Sequence, residues 1–600
     1  MSTGQLNIQA ENILPIIKRW LYTEKDIFVR ELVSNACDAM KKLEMLAQDG
    51  KCEIDPSTFK IEIKIDKENN TLQIIDNGIG MTKDEIQKYI ANIAFSGAEE
   101  FMKKYASKKE EDQIIGHFGL GFYSAYMVAK NVSIDSLSYK KKSKAALWTC
   151  DGSVDYILDL GKRKERGTTI TLYLEDKAKE YLDETKLIRI LKQYCLFLPY
   201  PLYLNETHIN EKAPLWLKPK NKIKQEEYLD FYKQLYPMEQ DPILWVHLNV
   251  DFPFHLKGIL YFPKLKKDFE YNKNTLKLFC NRVFVSDNCK DLLPDFLMIL
   301  KGAIDSPDIP LNVSRSYLQM DSQVRQISGH ISKKIADELT KLYKKDHQRF
   351  TDNWKDFELI LKMGAMQDDK FFKRTKELFI WKTTHDKWVS LSELEAQETI
   401  YYTSEETNHD LIELYKEKEI DVLLAHPFLD PHFFGFLEKN TKLKFKRIDS
   451  ELDDKLIDSE KEDTLLDDKG HTLGAKIEKL ITKTLDEKEL TVQAKSLAKD
   501  EILGFVQIEE GSRRFRDMMQ YSNPDMPAFP QPKTFIVNTN HALIKNLLNF
   551  DTKNASLTKE LVQVLYEQCL LNQKELDPKA FSNFLTKTQT LISELCQKLV

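Results

Sequence analysis

Residues 24–45 read Glu-Lys-Asp-Ile-Phe-Val-Arg-Glu-Leu-Val-Ser-Asn-Ala-Cys-Asp-Ala-Met-Lys-Lys-Leu-Glu-Met, and the rest of the chain is read outward from them. Phe28, Leu32, Ala36, Ala39 and Leu43 recur at three- and four-residue intervals, the spacing of one apolar helix face that belongs against a core. Glu31, Asn35 and Asp38 recur at the same spacing on a second stripe, about two turns long. Asn and Asp are weak helix formers, so propensity does not account for their choice. Taken alone, the stripe is equally a solvated polar face or part of a site.

The segments that follow weight the second reading. Phe59 to Ile65 alternates strictly and predicts a half-buried strand; an Asn69-Asn70 turn and a strand over Thr71 to Ile75 complete a hairpin. The hairpin runs into Asp76-Asn77-Gly78-Ile79-Gly80-Met81, where two glycines remove side chains that would keep a flat ligand off the backbone. An acidic residue there can accept a hydrogen bond from an exocyclic amine. A helix is predicted over Ile86 to Ala94. Lys103 to Asp112 reads as an exposed, mobile, lid-like segment. It leads to Gly116-His117-Phe118-Gly119-Leu120-Gly121-Phe122-Tyr123-Ser124 and a helical run through Ala129, an arrangement that can offer backbone N–H groups to phosphates. Strands around Val132 to Ser138, Ala146 to Thr149 and Ser153 to Leu160 continue the sheet, and Gly167 to Leu172 closes it, with Thr168 toward the pocket. The string Gly-x-x-x-x-Gly-Lys-[Ser/Thr] is absent, and no parallel strand–helix alternation surrounds the glycines, which excludes the two commonest phosphate loops.

Composition bounds the remainder. The chain has 600 residues, 42% of them hydrophobic, enough for three or four domains of roughly 100–200 residues. Lys and Arg number 88 against 94 Asp and Glu, a net charge of -6, so nothing in the whole-chain balance favours nucleic acid, and any binding to polyanions has to be local. The eight cysteines form no Cys-x-x-Cys pair or metal-spaced cluster and read as reduced thiols. No segment approaches the roughly 20 apolar residues of a membrane span. A soluble, unexported, cytoplasmic protein is expected.

The order Glu31/Asn35, Asp76-x-Gly78-x-Gly80, Gly116-x-x-Gly119-x-Gly121, Gly167-Thr168 resembles the ATP-binding fold shared by DNA gyrase, heat-shock chaperones, histidine kinases and mismatch-repair proteins. Within it, Arg30 to Ala36 and Gly119 to Ala125 resemble the ninety-kilodalton heat-shock protein family, and the chain length is similar to its bacterial form. The likeness continues through Asn281 to Asp287, Leu292-Leu293-Pro294, Lys301 to Ser306 and Pro310 to Arg315, which resemble that family's middle domain.

The resemblance implies a multidomain α+β and α/β architecture: a helix-covered antiparallel sheet of Bergerat type over 1–212, a middle domain over 213–449, a charged linker over 450–469 and a C-terminal dimerisation domain over 470–600. It implies an ATP-dependent chaperone of unfolded clients, working as a homodimer with weak Mg2+-dependent hydrolysis, without nucleic acid or membrane. By position, Glu31 would be the general base and Arg315 a second catalytic group, delivered on a middle-domain loop. Asn35 would hold Mg2+. Asp76 would read the adenine amine, with Thr168 nearby through a water, and Asp38, Gly80 and Met81 complete the ATP-binding set. Gly116, Gly119, Gly121 and Phe122 would cover the phosphates.

Three positions depart from the family pattern: Phe95 replaces a cation near the phosphates, His117 replaces a glutamine and Ser316 a glutamate. They leave a non-hydrolysing nucleotide-sensing scaffold as the alternative, with a topoisomerase or mismatch-repair ATPase behind it. Near the C-terminus, Met518, Met519, Met526 and Phe529 read as either a client surface or a core. The last helix carries Phe581, Phe584, Leu585, Leu591, Ile592, Leu595 and Leu599 on one broad face, for which partly intermolecular use is expected. The chain ends at Val600 without the acidic peptide of cytosolic eukaryotic relatives.

Overall fold

The computed structural model describes residues 24–92, 119–153, 155–265, 276–287, 292–309, 322–404, 409–458, 472–522 and 531–599. Phe95, Gly116, His117, Arg315, Ser316, Met526, Phe529 and the segment Lys103 to Asp112 lie outside them. The chain divides into two compact units, Met1–Glu338 and Leu339–Val600.

In the first unit the opening stretch is helix α1 (Ile27–Gln48). Its start is tied down by two phenols, Tyr181 donating to Asp26 (2.7 Å) and Tyr194 to Glu24 (3.0 Å). It ends where Gly50 turns left-handed and Lys51 N–H returns to the Leu46 carbonyl, a glycine stop. The helix is buried on nearly every side: Phe28, Leu32 and Leu43 are inaccessible, and so are most residues between them. The polar stripe is therefore not a solvated face.

The helix lies on an eight-stranded sheet built from β1 (Ile61–Asp66), β2 (Thr71–Asp76), β3 (Ala129–Leu137), β4 (Ala146–Cys150), β5 (Ile157–Leu160), β6 (Gly167–Leu174), β7 (Leu202–Leu204) and β8 (Thr207–His208), in the order β5-β4-β3-β6-β2-β1-β7-β8. All pairings are antiparallel except β1 with β7. The expected hairpin is present, with Asn70 in the left-handed conformation at its turn. Three expectations need correction. β6 does not close the sheet; it sits at its centre between β3 and β2, because both of its faces and edges carry strand-forming residues, a feature alternation cannot distinguish from an edge. The run after Gly121 is a 3-10 helix, Gly121–Met127, and Ala129 already starts β3. The helix expected over Ile86 to Ala94 begins earlier, as Lys83–Tyr89, where Thr82 and Glu85 form a capping box.

Ile134, Ile170, Ile74, Ile63 and Leu204 stand opposite one another across β3, β6, β2, β1 and β7 and form the apolar row beneath α1. The same core takes in Tyr232, Phe279 and Phe284. Phe279 and Phe284 belong to a second sheet of the first unit, ordered β12-β11-β13-β10-β9, from β9 (Leu244–Val250), β10 (Leu256–Phe262), β11 (Leu276–Cys280), β12 (Val283–Ser286) and β13 (Lys301–Asp305).

The second unit holds a five-stranded sheet within residues 380–447 and a three-stranded sheet within residues 490–538. At the first, Lys362 is wholly buried between Glu358 (2.9 Å) and Asp430 (2.6 Å), with Trp354 and Trp381 faces on the ammonium. At the junction with the expected linker over 450–469, of which residues 450–458 are described, several side chains are buried. Asp449 is 2% exposed and takes Arg513 at 2.7 Å and Arg447 at 3.1 Å, while Leu456 is fully buried. One of the Asp449 partners, Arg513, is 64 positions away, which local composition cannot reveal. The terminal helix, Pro578–Leu599, is amphipathic in a split way: Phe584 and Leu591 pack on Val564, whereas Phe581, Leu585 and Ile592 are 42%, 44% and 55% exposed.

Candidate nucleotide-binding site

Sheet register assembles one wall of the site. Ser136 pairs with Thr168, and Thr168 with Asp76, so the three stand in a row across β3, β6 and β2. Asp76 and Ile74 are two residues apart on one strand, which puts the row on the face that α1 covers. All three are buried. Ser136 Oγ lies 2.9 Å from Thr168 Oγ1 and accepts the Met81 N–H at 2.9 Å. Thr168 is thus held in place, and Met81, expected only as a site neighbour, is fixed through its backbone.

The Asp76 turn explains its own glycines. Asp76 Oδ1 accepts the Gly78 N–H at 2.8 Å. A Cβ on Gly78 would stand 2.7 Å from Ala39 of α1, and one on Gly80, whose φ is +62°, would stand 1.9 Å from the Leu137 carbonyl oxygen. The turn is clamped between helix and sheet, with Ile79 N–H bonded to the Ala39 carbonyl at 3.0 Å and Tyr139 N–H to the Ile79 carbonyl at 2.9 Å. Burial raises the Asp76 carboxyl to about 6, against lowering by the Gly78 N–H and Arg163. Arg163 reinforces the turn, donating to the Asp76 carbonyl oxygen at 2.9 Å and to Thr169 at 2.5 Å.

On α1, Glu31 and Asp38 are 4% and 6% exposed, and Asn35 between them is half-buried. Glu31 Oε1 accepts from Arg30 Nε at 3.1 Å and Nη2 at 2.8 Å. The other oxygen, Oε2, faces Gly121, where an added Cβ would stand 2.5 Å away. One end of the glycine strip is therefore in contact with the α1 carboxylate. Burial pulls the Lys42 ammonium below its usual range, and Asp38 on the same helix pulls it back.

The structure brings together Glu31, Asn35, Asp38 and Gly121 along α1, and Asp76, Gly80, Met81 and Thr168 along the sheet end. Gly119 holds a left-handed φ of +64° at the head of the 3-10 helix. The Phe122 ring packs edge-on with Tyr123, Tyr126 and Trp148, so it anchors the strip to the core. Sequence reading missed Arg30, Ser136 and Arg163. Arg30 carried a signal, a cation between Val29 and Glu31 in an apolar helix; Ser136 and Arg163 are reached only through strand pairing.

This arrangement, a buried acidic turn and a glycine strip meeting one helix over an antiparallel sheet, is that of an ATPase. Residues 23–158 match the family described as Histidine kinase-, DNA gyrase B-, and HSP90-like ATPase, and residues 203–597 match Hsp90 protein. The chain is similar to proteins named Chaperone protein HtpG: 38% identical to that of Bacteroides fragilis, 37% to that of Bacteroides thetaiotaomicron and 36% to that of Porphyromonas gingivalis. In each case the likeness covers 96% of this chain and 89% of the relative. The chain belongs to the Hsp90 family and is an ATP-dependent molecular chaperone whose N-terminal domain binds nucleotide. No described helix is long and apolar enough to cross a membrane.

Proposed function

We propose that this chaperone is a weak Mg2+-dependent ATPase in which Glu31 activates the attacking water. The observation that carries the reading is the division of labour at its carboxylate: Arg30 occupies Oε1 and orients the group, leaving Oε2 toward Gly121. A positioned carboxylate of this kind contributes as general base when a water lies within hydrogen-bond reach. Asp76 accepts the adenine amine, supported by its fixed turn and by Thr168 beside it. Gly116, Gly119, Gly121 and the Phe122 backbone cover the phosphates, and Arg315 adds positive charge. Asp38 steadies Lys42 along the same helix.

Among the described residues no cluster of three acidic, His or Cys side chains could hold a metal. A single amide oxygen at Asn35 suits Mg2+, which keeps waters and phosphate oxygens as its other ligands. When bound, the ion offsets phosphate charge. Asn35 would hold the ion through its amide oxygen, and Glu31 would act on the water.

The domain division is 1–212, 213–449, a linker over 450–469 and 470–600, with dimerisation through the last of these and unfolded clients as partners in the cytoplasm. The stripe of Phe581, Leu585 and Ile592 left exposed on the terminal helix supports the dimer contact. Phosphate release by the full-length protein tests the reading: slow turnover with Mg2+ that stops on chelation is expected, and chelation-insensitive turnover would refute it.

A further inference from the structure

The chain is acidic overall, yet eight Lys or Arg lie in two short stretches, 140–144 and 162–166, with Glu165 as the only acid among them. The fold puts the two stretches side by side, since Gly161 N–H bonds to the Ala145 carbonyl at 2.9 Å. At this end of the sheet lies a cavity of about 300 Å³. Within a mostly polar lining, Leu43, Ile54 and Leu137 give it an apolar patch, and Lys140, Lys142 and Arg166 give it cations against one carboxylate, Glu53.

We infer that this cavity is a second ligand site, for a small organic anion with one phosphate or carboxylate head and a compact apolar body. Two of its cations are already braced. Lys140 pairs with Glu85 at 2.7 Å, and Arg166 donates to the Asn77 carbonyl at 3.0 Å with its guanidinium over the Phe59 ring. Among the described residues Lys142 makes no ion pair, and its φ of +70° is a conformation that glycine adopts freely and a side chain does not. Ser143 Oγ locks that turn by donating to the Lys140 carbonyl at 2.7 Å. The cation therefore sits on a fixed turn that lines the cavity.

Size and lining set the occupant. The volume is at the lower limit for small-molecule pockets, too small for a nucleoside triphosphate. Its lining shares no residue with Glu31, Asn35, Asp38, Asp76 or Thr168. The Leu137–Ser138 backbone, which packs on Gly80, stands between the two.

Calorimetry of the full-length protein with phenyl phosphate tests the site. Binding should persist at saturating ATP, and inorganic phosphate and benzyl alcohol should each bind at least about fivefold more weakly, since each lacks half of the matched chemistry. Lys142→Gly relieves the backbone and removes the cation. It should melt no lower than wild type yet bind phenyl phosphate at least about fivefold more weakly. Displacement by ATP, equal binding of inorganic phosphate, or undiminished binding by Lys142→Gly would each overturn the inference. The Lys142→Gly arm holds whether or not the protein binds nucleotide.

Discussion

Asp76 joins stability and function at one atom pair. Burial pushes its carboxyl up from the ordinary 3.8 to about 6, so the native state takes up a proton more readily than the unfolded one. The sign follows: the cost of ionising it is absent below about pH 4, grows as pH rises through 6, and is complete above, amounting to about 3 kcal/mol. Asp76→Asn keeps an oxygen for the Gly78 N–H but carries no charge. It should raise the melting temperature at pH 7.5 by about 3 °C or more while abolishing ATP binding, and wild-type ATP affinity should fall as pH drops below 6. A variant that melts lower, or still binds ATP, would remove Asp76 from the adenine-reading role. The turn that follows β2 was legible because Asp-Asn-Gly at a strand end marks one. Arg163 was not, being 87 positions from the carbonyl it holds.

Among the elements, α1 was the most legible and also the most misleading, since its periodicity located the helix but left open whether Glu31 and Asp38 were solvated. Only the sheet beneath and the 3-10 helix Gly121–Met127 beside it decide that. β6 shows the converse: its residues marked a strand, while its central place depends on pairings to β2 and β3 across the chain. Because Gly121 touches Glu31 Oε2, Gly121→Ala should push the carboxylate aside. ATP affinity should change by less than about threefold, and turnover should fall about tenfold to a hundredfold. Equal losses in both would mean the strip only binds and does not position.

At the scale of the whole molecule, the terminal helix divides its apolar residues between its own unit and solvent. Replacing Phe581, Leu585 and Ile592 together with Ser removes no buried side chain, so the melting temperature of each protomer should shift little. Light scattering should nonetheless show a monomer in place of a dimer, with slower ATP turnover; a triple variant that remains dimeric would move the contact elsewhere. The length and charge pattern made a multidomain chain legible, but not the packing of 449–458, whose acid is matched by Arg513 from a later helix.

The central claim is that Glu31 acts on the water and does little to hold ATP. Glu31→Gln is the cleanest variant, because its amide oxygen can still accept from Arg30, whereas alanine would take an acceptor away from a buried guanidinium at a cost of about 3–5 kcal/mol. Phosphate release and ATP affinity should be measured together on the full-length Glu31→Gln protein. The account predicts turnover lower by a factor of about 100 or more with affinity within about threefold of wild type. Turnover near wild type, or an affinity loss that accounts for the whole effect, would contradict it.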